Sequence, residues 1–173
     1  MATKVTLARL RAGHEAALLV FEEENRAYFA RSITDRGDAY FAEFGARLRA
    51  LLAEQDSGAC HFHLIFDEEG ALVGRINLVH AVGGVAELGY RIGERAAGRG
   101  VATAAVGALC PLAATAYGLT ALVADTAVEN RASRTVLERN GFAVIGETSV
   151  GAGRPAVRYR RSLVAADQDS PTG

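Results

Sequence analysis

The sequence predicts an α+β protein in which a mixed, largely antiparallel sheet carries helices on both faces. Three observations support this class: two segments of helical periodicity come first, alternating strands follow, and a strand–helix–strand unit comes after them. Such a unit within one sheet requires a right-handed parallel crossover. The other predicted strands are joined by short turns that contain glycine, which is typical of antiparallel hairpins.

The amino-terminal part contains a short predicted strand at residues 5–7 and two predicted helices. Residues 13–30 place apolar side chains on one helical face, and residues 38–54 repeat that spacing. Asp38 is a suitable N-cap for the second helix. Glu22 belongs to a run of three glutamates in the first helix, and such a run usually forms a solvated face.

The middle of the chain has the two-residue period of strands. His61 and His63 alternate with apolar residues, which predicts a strand with one buried face. The predicted strands of this region, separated by glycine-containing turns, span residues 60–66, 72–79 and 85–92.

An alanine-rich helix is predicted to begin at Val101 and to end at Gly118. Pro111 lies inside it and would clash with the carbonyl of Gly107, so we expect a kinked or broken helix. The remaining predicted elements are a strand at 119–126, a helix at 130–140 that Gly141 ends, and a hairpin of strands at 142–150 and 156–163.

A length of 173 residues predicts a single domain, which we place at residues 1–164, with a disordered polar tail at 165–173. No apolar run approaches the ~18 residues needed to span a bilayer, and the start shows no signal-peptide pattern. Cys60 and Cys110 fit buried free thiols, although a bridge between them stays open. We therefore expect a cytoplasmic protein.

A net charge of −1 gives no indication of a nucleic acid as partner. His61 and His63 share a strand face, but no cysteine or carboxylate at matching spacing accompanies them, so we expect no metal site.

The segment 94–103 joins a predicted strand to the alanine-rich helix. Gly98 and Gly100 allow positive φ angles and close approach of a ligand. Backbone N–H groups at a helix start lack intrahelical partners and bind phosphate oxygens, and Arg95 and Arg99 add positive charge. A tight turn that merely caps the helix is the alternative interpretation.

Three motifs occur in an order and at distances that chance produces rarely. They are Glu87-Leu88-Gly89-Tyr90, Arg95-x-x-Gly98-x-Gly100, and Asn130-x-x-Ser133 followed by Val136-Leu137-Glu138-Arg139-Asn140-Gly141-Phe142. In this combination the chain resembles the RimJ/RimL branch of the GNAT N-acetyltransferases. The resemblance covers residues 4–163 and is strongest over residues 85–142.

The resemblance implies a fold whose two central strands splay apart to admit the pantetheine arm of acetyl-CoA. It implies acetyl transfer to a primary amine by direct attack in a ternary complex, and homodimers are common in this branch. Backbone N–H groups of residues 89–92 would bind the thioester carbonyl. The implied cofactor-binding residues are Tyr90, Arg91, Ile92, Arg95, Ala96, Ala97, Gly98, Arg99, Gly100, Val101, Ala102, Thr103, Asn130 and Arg134.

Two residues are the candidates for catalysis. The resemblance assigns Glu87 as the general base that takes the amine proton; a salt bridge to Arg91 or Arg75, or a solvated sheet face, is the alternative. It assigns Ser133 as the hydroxyl that donates to the departing thiolate; a first-turn serine bonded to the backbone is the alternative. Leu137 stands where many other GNAT enzymes carry a tyrosine acid.

Other polar residues are candidates for binding. Asn130 is a preferred N-cap and, by resemblance, also binds the pantetheine amide. Asn25, Tyr28 and Asn77 are candidate acceptor contacts. Tyr159 faces either the acceptor groove or the core, and the glutamates at 22–24 are candidates for attracting a cationic amine.

The acceptor stays open between a protein N-terminal α-amine and a small-molecule amine. An α-amine titrates near ~8 and a lysine amine near ~10.4, which slightly favours the α-amine at neutral pH. A non-catalytic acyl-CoA-binding regulatory module is the alternative function. We expect no nucleic-acid or membrane partner.

Overall fold

The computed structural model describes residues 3–163, so the predicted tail at 165–173 lies outside them. The described chain forms the predicted α+β arrangement, with one mixed sheet between two layers of helices. The strands are β1 (Thr6–Arg9), β2 (His61–Phe66), β3 (Leu72–Val82), β4 (Val85–Ile92), β5 (Ala121–Ala127), β6 (Ala143–Val150) and β7 (Arg154–Ser162). The helices are α1 (Glu15–Phe29), α2 (Asp38–Ala42), α3 (Phe44–Asp56), α4 (Val101–Tyr117) and α5 (Arg131–Arg139).

The sheet has the order β1-β2-β3-β4-β5-β7-β6, and within it only β4 and β5 pair in parallel. Their pairing runs from Val85 and Ala121 to Glu87 and Val123 and then stops. Both strands continue beyond that point, β4 to Ile92 and β5 to Ala127. The expected splayed central pair is therefore confirmed, and we call the space between the diverging strands the central opening.

Each face of the sheet carries its own apolar core. The core beneath α4 and α5 includes Ile76, Leu88, Leu109, Leu122 and Leu137. The core beneath α1 and α3 includes Leu18, Phe21, Phe44, Leu48 and Phe62. Cys110 belongs to the first core and Cys60 to the second, and both are free thiols, so the bridge left open by the sequence is not formed.

The single helix predicted over residues 38–54 is wrong: the chain breaks at Glu43 and forms α2 and α3. Asp38 is the first helical residue instead of the N-cap, which is Gly37 with φ +85°. The Asp38 carboxylate accepts a hydrogen bond from the Arg26 guanidinium at 2.9 Å. The Asp38 side chain, which the local sequence pattern predicts to cap the helix, therefore binds Arg26 of α1 instead.

Pro111 does not break α4, which runs without interruption through the proline. Gly107, four residues earlier, faces α5: a Cβ there would lie 3.2 Å from Oδ1 of Asn140, so the glycine allows the two helices to approach closely. Neither α4 nor any other helix among residues 3–163 has the length and hydrophobicity to cross a membrane.

Strand β2 is buried on both faces, which corrects the prediction of one solvated face. His61 and His63 are only 7% and 1% exposed. Tyr117 of α4 covers them, because its ring stacks on His61 at 3.8 Å between centroids and its hydroxyl is hydrogen-bonded to Nε2 of His63. An aromatic residue that is distant in sequence therefore makes a polar strand face part of the interior.

Candidate active site

The central opening exposes the middle of the sheet. Gly89 is solvent-exposed although it lies in a central strand, and a Cβ at this position would meet no atom within 4 Å. Within residues 3–163, the edge of β4 that faces β5 has no strand partner beyond Glu87, while its other edge stays paired with β3. Backbone groups of residues 88–92 on the open edge are therefore available to a ligand.

The glycine turn that follows β4 presents a row of free donors. Gly98 and Gly100 have φ angles of +72° and +78°, and Gly100 is the N-cap of α4. Within residues 3–163, the backbone N–H groups from Gly98 to Thr103 find no acceptor. Free N–H groups at the start of a 17-residue helix favour phosphate oxygens. The turn thus fits a pyrophosphate.

Two side chains from elsewhere in the chain hold this turn. Asn25 of α1 accepts a hydrogen bond from the Glu94 N–H at 3.0 Å, and its own Nδ2 donates to the Phe21 carbonyl at 2.9 Å. Thr3 donates to the Arg99 carbonyl at 2.7 Å. The structure therefore places Asn25 beside the turn, where it fixes the chain as it leaves β4.

A cleft of about 850 Å³ lies beside the turn, and the exposed side chains of Arg95 and Arg99 line it together with acidic residues such as Glu24 and Asp67. A second cleft of about 690 Å³ lies among β1, β2 and the end of α4. It contains none of the residues that the motifs indicate.

The start of α5 combines a cap with a candidate acid. Asn130 accepts a hydrogen bond from the Ser133 N–H at 3.1 Å, so Asn130 is the N-cap and its Nδ2 stays available. Oγ of Ser133 lies 3.0 Å from the Tyr90 hydroxyl, which reaches it from β4. Burial raises the pKa of Tyr90 and the bond to Ser133 opposes this, so the phenol is protonated at neutral pH. The motif at residues 87–90 indicates a backbone role for Tyr90 and gives no signal for this contact of its side chain.

Arg134 ties α5 to the neighbouring strand. Its Nε donates to the Tyr159 hydroxyl at 3.1 Å and its Nη1 donates to the Val128 carbonyl at 3.2 Å. Tyr159 is fully buried and donates to Glu138 at 3.0 Å, so it belongs to the core and not to the groove. These contacts orient α5 against the sheet.

Glu87 lies on the opposite sheet face from Tyr90, on the side of α1. Its side chain is 45% exposed, and Nε2 of His80 lies 3.9 Å from its carboxylate. A register shift between Val79 and Val82 places His80 there, and single-sequence patterns give no signal for such a bulge. The alternative ion pairs with Arg75 or Arg91 are not formed.

Asn77 is the partner of Gly89 in the pairing of β3 with β4. Its Oδ1 is buried and accepts no hydrogen bond from residues 3–163. An unpaired buried acceptor is costly, so this oxygen is a candidate contact for a ligand N–H. Tyr28 lies instead against Phe29, with 5.9 Å between ring centroids.

Glu22 is 2% exposed, which corrects the expectation of a solvated glutamate run. Oε1 accepts a hydrogen bond from Arg75 at 2.8 Å, and Oε2 accepts one from Arg91 at 3.3 Å. Arg75 on β3 and Arg91 on β4, which face each other across the two strands, therefore hold this carboxylate in the interior. Its charge is compensated and is not offered to an amine.

The imidazoles of β2 have protein partners. Nδ1 of His63 contacts the Ile76 carbonyl at 3.2 Å, and Nδ1 of His61 lies 3.2 Å from Arg9. Among residues 3–163, no group of three or more His, Cys, Asp and Glu is arranged to hold a metal ion.

The separated central strands and the turn with unpaired N–H groups are features expected of an N-acetyltransferase, and comparison with known families shows this class. The pattern of the acetyltransferase (GNAT) domain matches residues 4–143. The chain therefore belongs to the GNAT acetyltransferase family. A sequence comparison with curated proteins finds no significant match.

Solved structures of this fold include several N-acetyltransferases. The ribosomal-protein-S5-alanine acetyltransferase of Vibrio fischeri is 18% identical, with a TM-score of 0.84, over 92% of this chain and 93% of that chain. RimJ of Mycobacterium smegmatis in complex with CoA-disulfide is 22% identical, with a TM-score of 0.81, over 93% and 84%. The spermidine N-acetyltransferase of Vibrio cholerae in complex with CoA and spermine is 18% identical, with a TM-score of 0.75, over 92% and 96%. At these identities the similarities show that the fold is shared.

Proposed function

We propose that this protein transfers the acetyl group of acetyl-CoA to a primary amine by direct attack in a ternary complex. One observation carries the proposal: β4 and β5 separate beyond Glu87, and the same strand leads into a turn whose N–H groups are free. An opening with a phosphate-binding turn at its end suits an extended pantetheine–pyrophosphate ligand. The RimJ and spermidine N-acetyltransferase structures, which were solved with CoA-disulfide and with CoA and spermine, support coenzyme A as the ligand.

Acetyl-CoA supplies an activated acyl group, and the residues of this chain position it and move the protons. The row of N–H groups from Gly98 to Thr103 binds the pyrophosphate, with Arg95 and Arg99 near it. The open edge of β4 offers backbone N–H groups to the carbonyl oxygen as negative charge develops there. Oδ1 of Asn130 already accepts a hydrogen bond from the Ser133 N–H, so its side-chain NH₂ group binds the pantetheine arm.

Two groups on opposite faces of β4 handle the two protons. Glu87 takes the proton from the amine, directly or through water, because a carboxylate beside the open position at Gly89 lies within reach of the nucleophile. Ser133 donates its hydroxyl proton to the leaving thiolate and takes the proton of the hydrogen-bonded Tyr90 hydroxyl, which solvent then restores. Both cysteines are buried free thiols, and burial raises the pKa of each, so neither is suited to form an acyl-enzyme.

The proposal is tested by acetyl-CoA-dependent thiol release with a panel of primary amines, together with the affinity for acetyl-CoA. Gly98→Trp fills the open space at the turn and is expected to weaken acetyl-CoA binding tenfold or more. Gly118→Trp is the matched control, because Gly118 also has a positive φ and open space but lies at the other end of α4. Equal effects of the two substitutions would contradict the phosphate-binding role of the turn. Absence of thiol release with every amine would favour the regulatory module.

A further inference from the structure

The sheet surface beside the central opening carries charge of both signs. Alternate residues of β4 point to one face, and their partners on β3 share it. We call this surface the acceptor face. It consists of Glu87, Gly89 and Arg91 on β4 and of Val79, Asn77 and Arg75 opposite them on β3.

One end of the acceptor face has an excess of positive charge. Among residues 3–163, Glu22 is the single carboxylate that contacts the guanidinium groups of Arg75 and Arg91. One negative charge therefore compensates two cations, the buried Arg75 and the partly exposed Arg91, an arrangement that is unfavourable unless a second anion is present.

Further cations approach this end from α2 and the loop before it. The Arg36 guanidinium lies over the Tyr40 ring at 4.9 Å, and the Tyr40 hydroxyl is 3.5 Å from Arg75. The carboxylates of Asp35 and Asp38, which flank Arg36 in sequence, both bind Arg26. Asp35 and Arg26 line the same small cavity as Arg36 and Arg91, so Arg26 compensates the Asp35 charge there and Arg36 adds to the positive potential.

Arg91 still has donors to offer. Only its Nη1 contacts Glu22, and its Nε and Nη2 donate to no acceptor within residues 3–163. The side chain is 19% exposed, and its guanidinium lies 4.9 Å from the Phe29 ring centroid. Burial lowers the pKa of Arg91, and Arg36 and Arg75 lower it further while Glu22 opposes them. A second anion at Arg91 would relieve this repulsion.

The other end of the acceptor face suits an amine. Above Gly89 there is open space, and its neighbours on this face are the partly exposed Glu87 on β4 and Asn77, directly opposite on β3. Both are hydrogen-bond acceptors, which an amine or ammonium group can satisfy. The distance along the strand from Gly89 to Arg91 is about 7 Å, so one small ligand can contact both ends.

We propose that the acceptor is a primary amine that also carries a carboxylate or phosphate, with the amine above Gly89 and the anion at Arg91 and Arg36. The proposal rests on the acetyl transfer proposed above and names the class of its acceptor. An amino acid or a peptide with an acidic first residue has this chemistry. A polyamine, which carries positive charge alone, does not match the Arg91 end.

Two matched peptides test the inference: the amides of Asp-Ala-Ala and Asn-Ala-Ala, with spermidine and free aspartate as further acceptors. We expect kcat/KM for the aspartyl peptide to exceed that for the asparaginyl peptide by about tenfold or more, because the anion gains charge-assisted hydrogen bonds. A comparison of kcat/KM for free aspartate with kcat/KM for the aspartyl peptide distinguishes a small-molecule acceptor from a peptide N-terminus. Titration calorimetry of both peptides in the presence of coenzyme A gives a binding readout that does not depend on turnover.

Arg91→Gln should bring the ratio of kcat/KM for the aspartyl peptide to that for the asparaginyl peptide close to one. Arg36→Gln changes an exposed residue and should lower the same ratio without affecting folding. Arg139→Gln removes an exposed charge on α5 and should keep the ratio. Equal efficiency for the two peptides, a preference for spermidine, or an unchanged ratio in Arg91→Gln would overturn the inference. If no amine is acetylated, acetyl transfer itself is contradicted, and equal dissociation constants for the two peptides would still overturn the charge preference.

Discussion

The hydroxyl of Tyr90 lies 3.0 Å from Oγ of Ser133, so a hydrogen bond joins β4 to α5 across one face of the central opening. Tyr90 comes from the strand whose free edge faces the opening, and Ser133 comes from the first turns of the helix beyond it. This contact places a phenol beside the serine although the position four residues later in α5 is Leu137. We infer that the two hydroxyls act as one unit on the leaving sulfur.

Ser133→Ala should lower kcat by about 100-fold, the lower end of the usual range for general acid catalysis, with little change in KM for acetyl-CoA. Tyr90→Phe should have a smaller effect in the same direction, because it acts through Ser133. The double variant should resemble Ser133→Ala alone, since residues in one hydrogen-bonded unit are not additive. Steady-state kinetics of the three variants check this, and independent, multiplying effects would contradict the coupling.

Glu87→Gln should reduce the rate at neutral pH by about 100-fold and should recover part of it at high pH. The recovery is expected because an amine that is already deprotonated no longer needs a base. A profile of kcat/KM from pH 6 to pH 10 measures it. Glu147→Gln, on an exposed carboxylate of β6, is the control and should keep the wild-type profile. A Glu87→Gln profile parallel to that of the wild type would exclude the general-base role.

Glu22→Gln should destabilise the protein by about 3–5 kcal/mol, because it leaves the buried Arg75 and the partly exposed Arg91 without their carboxylate. Urea denaturation measures the free energy of unfolding. Glu23→Gln, on the exposed neighbour, should change it by less than about 0.5 kcal/mol. A Glu22→Gln variant as stable as Glu23→Gln would show that the buried ion cluster is not needed for the fold.

Acid should destabilise the protein through His63. Burial is the main cause that lowers the pKa of His63 from 6.5 to about 4. Above pH 6.5 both the native and unfolded forms are neutral, so His63 adds no pH dependence there. From pH 6.5 down to about 4 the unfolded state binds a proton that the native state excludes, which removes about 3 kcal/mol of unfolding free energy.

Urea denaturation at pH 7.5, 6, 5 and 4.5 measures this decline, to which His14 and His61 contribute in the same direction because their pKa values are also lowered. His63→Asn should make the decline shallower, whereas His80→Asn, on an exposed residue, should leave it unchanged. Equal declines in both variants would contradict a buried neutral His63.

Local patterns predicted the elements around the opening well. The predicted bounds of β4 match the structure. Asn130 is the N-cap of α5, and Gly141, which has a positive φ, follows the end of that helix, as the sequence predicts. These signals act within a few residues, so a single sequence contains them. The parallel crossover between β4 and β5 also follows from element order alone.

Long-range partners account for what the sequence did not predict. Glu22 is inside because Arg75 and Arg91 meet it, and β2 is covered because Tyr117 stacks on it. The contact between Tyr90 and Ser133 joins residues 43 positions apart. Periodicity reports which face a side chain occupies, but it does not report which residue from another element covers that face.

A crystal structure with coenzyme A is the decisive test of ligand binding at the central opening. We expect phosphate oxygens within hydrogen-bond distance of the N–H groups from Gly98 to Thr103, the pantetheine arm between β4 and β5, and the sulfur beside Tyr90 and Ser133. Coenzyme A bound elsewhere, for example in the cleft formed by Arg9, His61 and Tyr117, with the turn unoccupied, would contradict it.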